Sequence, residues 1–140
     1  METSSSPLLA SLEQVFSKDT DYFVTLSDVY PDGKAVAITE GYLRTRFRES
    51  QERPKLMTPG QQYTSRIKLW GTSNLFKKGH RIRVQITSSN FPRFNRNLNS
   101  GKAMAEETEQ DIRVANQTVY HSGAKASAIV LPIIPAAVTP

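Results

Sequence analysis

The segment Asn90-Phe91-Pro92-Arg93-Phe94-Asn95-Arg96-Asn97-Leu98-Asn99-Ser100-Gly101 concentrates planar and hydrogen-bonding side chains. Phe91 and Phe94 offer ring faces, Arg93 and Arg96 offer planar forks, and the asparagines offer amides. Such a set either binds a ligand or packs the loop onto its own surroundings. Interleaved aromatics and arginines are what single-strand nucleic-acid binders use. RNA-reading sheets, however, place those aromatics on strands within a defined motif. Here they follow a strand in an asparagine-rich loop, so nucleic acid is not the expected partner. The preferred reading is packing, with Phe91 and Phe94 covering a sheet or a neighbouring domain. Arg93 and Arg96 would then bond carboxylates or carbonyls, and Asn95, Asn97 and Asn99 would hold turns.

Other residues with chemical potential are weaker candidates. A serine hydrolase elbow would read Gly-x-Ser-x-Gly between a strand and a helix, and the chain contains none. Ser122 follows His121, but adjacency in sequence does not make a general base. His80 and His121 lie far apart without metal-ligand spacing, and His80 reads as a surface residue at a turn end. Asp19 and Asp21, with Asp28 and Asp32 nearby, could supply oxygen ligands to calcium. They lack the glycine and distal glutamate of an EF-hand loop, so local Asx turns are the expected role. Exposed aromatics of β-sandwiches can stack on sugar rings. Trp70 and Tyr30 are the candidates for such stacking, with Phe91 and Phe94 behind them. No cofactor motif is present and no metal site is expected.

These residues need elements to hold them. Alternating apolar positions mark strands over Tyr22 to Tyr30, Ala35 to Phe47, Tyr63 to Trp70 and His80 to Thr87. Leu8 to Phe16 reads as a loose first strand, and Val114 to His121 and Ser127 to Leu131 as the last two. In His80 to Thr87 the pattern sets Ile82, Val84 and Ile86 inward and Arg81, Arg83 and Gln85 outward. Leu43-Arg44-Thr45-Arg46-Phe47-Arg48 alternates arginine with other residues, which predicts a strand with one wet face. Pro31-Asp32-Gly33 and Lys77-Lys78-Gly79 are turns, and Ser73 to Phe76 suits a helical turn. Asn90 to Glu109 is a long irregular connection. The pattern predicts an all-β antiparallel sandwich or barrel.

Composition narrows the classes further. With 140 residues the chain is one domain that can bury a core without staples. It has no cysteine, which excludes disulfides, thiolate metal sites and cysteine nucleophiles. No apolar run approaches the ~18 residues of a spanning helix, and the polar start Met1 to Pro7 does not read as a signal peptide. A cytoplasmic protein without membrane contact is the expectation. The net charge of +5 is spread along the chain and reads as a solvated basic surface.

Several motifs in series carry a resemblance. They are Asp19-Thr20-Asp21-Tyr22-Phe23, Leu26-Ser27-Asp28-Val29-Tyr30-Pro31-Asp32-Gly33, Gly41-Tyr42-Leu43-Arg44-Thr45-Arg46-Phe47-Arg48 and Thr58-Pro59-Gly60. They continue with Leu69-Trp70-Gly71-Thr72-Ser73-Asn74-Leu75-Phe76-Lys77-Lys78-Gly79-His80-Arg81-Ile82-Arg83, Ser88 to Gly101, Gln117 to His121 and Val130 to Pro135. In this order they resemble the C-terminal domain of the cocaine esterase and X-Pro dipeptidyl-peptidase family of serine hydrolases. The resemblance covers residues 8–135, with 1–7 expected as a disordered tail and 136–140 as a second tail. It implies a jelly-roll β-sandwich of galactose-binding type that packs on an α/β-hydrolase catalytic domain and shapes its substrate cleft. The catalytic triad belongs to that partner domain, so no catalytic residue carries over and the chain alone is expected to be inactive. Asn95 departs from the aspartate common in the family loop, which implies a missing salt bridge to a neighbouring arginine. The other reading is a free carbohydrate-binding or interaction module. An apolar face left without its partner also predicts a homo-oligomer.

Overall fold

The chain is organised around one strand that is buried on both faces. A computed structural model describes residues 8–10, 12–13 and 17–133. In it β1 spans Leu8–Ala10, β2 Leu12–Glu13, β3 Asp21–Val29, β4 Ala35–Arg44, β5 Ser65–Ile67, β6 Arg81–Thr87 and β7 Thr118–Val119. In β3 only Thr25 escapes full burial. The strand lies between β4 and β6 in a three-stranded antiparallel sheet of order β4-β3-β6. β1 pairs with β5 and β2 with β7, again antiparallel. Short 3₁₀ turns occupy Thr45–Phe47, Met104–Glu106, Glu109–Asp111 and Gly123–Lys125, and no α-helix occurs among the described residues. This is an all-β jelly-roll sandwich.

The core sits on one face of the sheet. Tyr22, Val24, Leu43, Met57 and Ile67 are buried together, and Leu69, Ile86 and Val119 pack against them. A β-bulge shifts the β3–β4 register between Leu26 and Ser27, which adds local twist. The Pro31-Asp32-Gly33 turn forms as expected. Gly33 takes φ 91, its N–H donates to the Tyr30 carbonyl at 2.9 Å, and the Lys34 N–H donates to Asp32 Oδ1 at 2.9 Å. Gly41 answers a different need. A Cβ there would collide with the Lys68 carbonyl oxygen, so only glycine lets β4 approach the segment after β5 so closely.

Several expected elements are shorter or different. The segment Ala35 to Phe47 leaves strand geometry after Arg44, because Thr45 is drawn inward: its N–H donates to the Thr20 carbonyl and its hydroxyl accepts from the Thr20 N–H. The predicted strand Tyr63 to Trp70 keeps only Ser65–Ile67. Beyond it the Trp70 N–H donates to the Glu40 carbonyl instead of entering a ladder of its own. Ser73 to Phe76 forms no helical turn, Val114 to His121 shrinks to Thr118–Val119, and Ser127 to Leu131 forms no strand. The first strand splits into β1 and β2 with different partners. Its residues 14–16, the tail 1–7 and residues 134–140 lie outside the described residues.

Two side-chain expectations also change. His80 is not a surface residue: its Nδ1 lies 2.9 and 3.0 Å from the Asp28 carboxylate oxygens, and its ring lies 4.4 Å from that of Tyr30. A carboxylate only accepts, so Nδ1 is the donor. Ile82 and Val84 do share the face of Asp28 and Leu26, as their register requires. They are nevertheless 52% and 37% exposed, because the described second layer stops short of them.

One core group lacks a partner. The Tyr22 hydroxyl is buried without a hydrogen-bond partner among the described residues, and burial pushes its pKa up to about 12. Tyr22→Phe removes that unpaired group and should stabilise the domain by about 1 kcal/mol. Urea denaturation checks this, and an unchanged or lower midpoint would show that the hydroxyl has a partner.

Candidate functional site

The charged residues nearest the loop are spent on holding it. Asp21 opens β3 and Arg44 closes β4, directly opposite in register. Arg44 grips Asp21 with both prongs, Nε to Oδ1 at 2.8 Å and Nη2 to Oδ2 at 2.7 Å. Two residues outward the pattern repeats. Asp19 accepts from Arg46 Nε at 2.7 Å, from the Arg46 backbone N–H at 2.9 Å and from the Thr45 hydroxyl at 2.9 Å. Both arginine side chains are only 11% exposed. The expected wet arginine face is therefore wrong: opposite charges at matching i, i+2 spacing turn both arginines inward. The hydrogen bond and charge of Asp21 outweigh burial and raise the pKa of Arg44.

Asn97 joins the two pairs. Its Nδ2 donates to Asp19 Oδ2 at 2.9 Å and to Asp21 Oδ1 at 2.7 Å, while its Oδ1 accepts the Asn99 N–H at 2.9 Å. Asn99 sits at φ 61, its carbonyl accepts from the Ser17 hydroxyl at 2.7 Å, and its Nδ2 donates to the Arg113 carbonyl at 2.9 Å. Arg46 Nη1 reaches the Lys102 carbonyl at 2.9 Å. Beyond it, Lys102 Nζ donates to Asp111 Oδ1 at 2.6 Å and Asp111 caps the turn begun by Thr108. Asn95 is peripheral, with Oδ1 3.5 Å from Arg44 Nη2. Arg44 already has its carboxylate in Asp21.

The four loop residues singled out in the sequence separate into two roles. Phe94 is half-buried and packs on Phe23 and Tyr42 at centroid distances of 5.1 and 4.7 Å. Arg93 lies 5.6 Å over the Phe94 ring and ion-pairs with Glu40. Phe91 does not pack as expected. It stands 65% exposed before a cis bond to Pro92, with Arg96 5.6 Å over its ring. Beside this cluster Phe23, Tyr42, Arg44, Phe47, Phe94 and Met104 line a depression of about 330 Å³.

Trp70 lies elsewhere, 76% exposed. It lines a groove of about 510 Å³ with Leu26, Leu69, Phe76, Val130 and Leu131. Tyr30 is outside that groove, its ring tilted at 46° against that of His80. The two sugar-stacking candidates are thus not brought together. No group of three metal-ligating side chains occurs among the described residues.

The fold is an antiparallel sandwich that commits its buried Asp19, Asp21, Arg44 and Arg46 to a loop clamp and leaves Trp70 and Phe91 on its surface. Residues 10–130 match the family model of the X-Pro dipeptidyl-peptidase C-terminal non-catalytic domain, and the chain belongs to that family. It is 43% identical to the cocaine esterase of Rhodococcus sp. (strain MB1 Bresler) over 116 residues. That match covers 83% of this chain and 20% of the esterase, so the chain spans about a fifth of that relative's length. An aminopeptidase from a marine sediment Thaumarchaeota archaeon superposes with TM-score 0.82 at 28% identity, covering 88% of this chain and 22% of that one. An alpha-amino acid ester hydrolase superposes with TM-score 0.78 at 29% identity, covering 91% and 24% respectively.

Two outcomes follow from the clamp. Asn97→Ala should cost about 2–3 kcal/mol, because two buried carboxylates lose a donor. Asn97→Asp should cost more, since it sets a third carboxylate between them. Asn95→Ala should stay within about 0.5 kcal/mol. Urea melts of the three variants rank these effects, and equal losses at Asn95 and Asn97 would refute the assignment. The second outcome concerns pH. Hydrogen bonds from Lys102 and from the Thr108 backbone hold the Asp111 carboxyl at about 2, below its ordinary 3.8. Its stabilising contribution is therefore present at neutral pH and lost as pH falls toward 2. Carboxyl NMR should find Asp111 titrating there, and closer to 3.8 in Lys102→Ala.

Proposed function

We propose that this β-sandwich packs on an α/β-hydrolase catalytic domain of a serine hydrolase acting on esters or X-Pro peptides, and lines one side of its substrate cleft. The observation that carries the reading is the uncovered apolar surface of a family member that spans only a fifth of its esterase relative. Trp70 and Leu75 are each 76% exposed, Ile82 and Val84 continue the core face into solvent, and the groove beside Trp70 is lined mainly by apolar residues. Exposed apolar groups of this kind mark contact surfaces. The loop clamp supports the same reading, since it presents Phe91 and Arg93 outward from a fixed base.

The test is a domain exchange. Placed in the Rhodococcus cocaine esterase in place of its matching segment, this chain should preserve ester hydrolysis that deletion of the segment abolishes. The same exchange carrying Trp70→Ser and Leu75→Ser should lose thermal stability. Alone, the chain should not turn over p-nitrophenyl acetate. Turnover blocked by a serine-directed inhibitor would overturn the reading. The uncovered surface also predicts self-association at high concentration, which light scattering reads directly.

A second reading rests on Trp70, whose ring stands free beside Thr72, Ser73 and Asn74 at the groove. As a carbohydrate-binding module the chain would bind selected glycans from a panel, and Trp70→Ala would lose them.

A further inference from the structure

The two edges of the β4-β3-β6 sheet are treated differently. Along β4 the edge is closed. The Trp70 N–H donates to the Glu40 carbonyl at 3.1 Å, the Thr39 hydroxyl donates to the Trp70 carbonyl at 2.8 Å, and Gly41 admits the Lys68 carbonyl. β6 has no such cover among the described residues. It pairs with β3 in unbroken register from Phe23↔Thr87 to Val29↔Arg81, and no strand lies beyond it among the described residues. Arg81 through Gln85 are all exposed. A straight seven-residue edge with open N–H and C=O groups is a template for another strand.

The side chains of this edge state what that strand must be. One face carries Ile82 and Val84, both exposed. The other carries Arg81 and Arg83, which have no ion pair among the described residues. We propose that β6 takes up an extended segment of another polypeptide by strand addition, and that this segment alternates apolar with acidic residues. Its apolar positions would lie beside Ile82 and Val84, and its carboxylates beside Arg81 and Arg83. A second copy of β6 does not meet these terms. With faces matched, antiparallel self-pairing gathers the arginines of both copies on one side without a carboxylate. With faces mismatched, it sets arginine against isoleucine and valine. This inference does not depend on the hydrolase reading, although both use Ile82 and Val84: the edge and its charge are the same whether or not a catalytic domain covers that face.

The experiment titrates the whole chain with two end-blocked seven-residue peptides of matching length, one alternating valine with glutamate and one alternating valine with lysine. The expected result is saturable binding of the glutamate peptide, with NMR shifts and new amide protection confined to β6. The lysine peptide should not bind, and an N-methylated glutamate peptide should not bind either. Arg81→Glu with Arg83→Glu should weaken the glutamate peptide by about tenfold or more and should take up the lysine peptide. If the double variant does not fold, Arg83→Gln alone should give a smaller loss. Equal binding of both peptides, protection outside β6, no saturation at millimolar peptide, or peptide-free dimerisation through β6 would each overturn the proposal.

Discussion

The arrangement of this domain depends on two carboxylates buried next to each other. Asp19 and Asp21 are 0% and 2% exposed. Left without partners, two buried carboxylates would carry the desolvation cost of unpaired buried polar groups. Two arginines, two backbone or hydroxyl donors and one asparagine amide surround them. Removing one partner from a buried pair costs about 3–5 kcal/mol. The Asn90–Gly101 loop supplies the Asn97 amide, so its departure would take a hydrogen-bond donor from both buried carboxylates. The clamp fixes where β3 begins, where β4 stops and which side of the loop faces out.

The same constraint explains why strand β4 ends where it does. A continued ladder would commit Thr45 and Arg46 to backbone pairing opposite Thr20 and Asp19. The chain instead turns through Thr45–Phe47, which delivers the Thr45 hydroxyl and the Arg46 backbone and side chain to one carboxylate. Local β propensity is overridden because a satisfied buried carboxylate outweighs a few ladder bonds. Asn97 shows the same economy of geometry. An amide has two donors and an acceptor, and each finds a partner here. A carboxylate at 97 would have none of the donors that the site requires.

What could be read from the residues follows the range of the interactions. Turns and strand centres are local, so the Pro31-Asp32-Gly33 turn and the middle of Tyr22 to Tyr30 were legible from composition and alternation. The motif series made the family and sandwich class legible as well, since long ordered motifs carry more than any periodicity. The clamp was not, because Asp19 and Arg46 are 27 residues apart and their pairing exists only once β3 and β4 align. Alternating arginine is what a wet face and a charged clamp both look like in one dimension. Nor could Asn97 be told from Asn95, since their difference lies in which way each amide points. The complementary i, i+2 spacing of Asp19-x-Asp21 and Arg44-x-Arg46 was the one signal that could have revealed it.

The apolar surface shows a further limit of pattern reading. Alternation assigned Ile82, Val84 and Ile86 to one face, and the register agrees. Only Ile86 is packed against the core cluster. A period of two reports which side of a sheet a residue occupies, and says nothing about what stands opposite. Along β6 the apolar side and the arginine side both end in solvent, whereas β4 is closed by Trp70 and Lys68. Closure of one edge costs a glycine at 41 and a bulge in β3–β4 pairing, and neither device appears along β6. Edges that must stay solitary are blunted by bulges, cover or charged side chains, and among the described residues β6 has only the last, in Arg81 and Arg83. A straight, uncovered edge next to uncovered core residues has the features of a surface built to be completed.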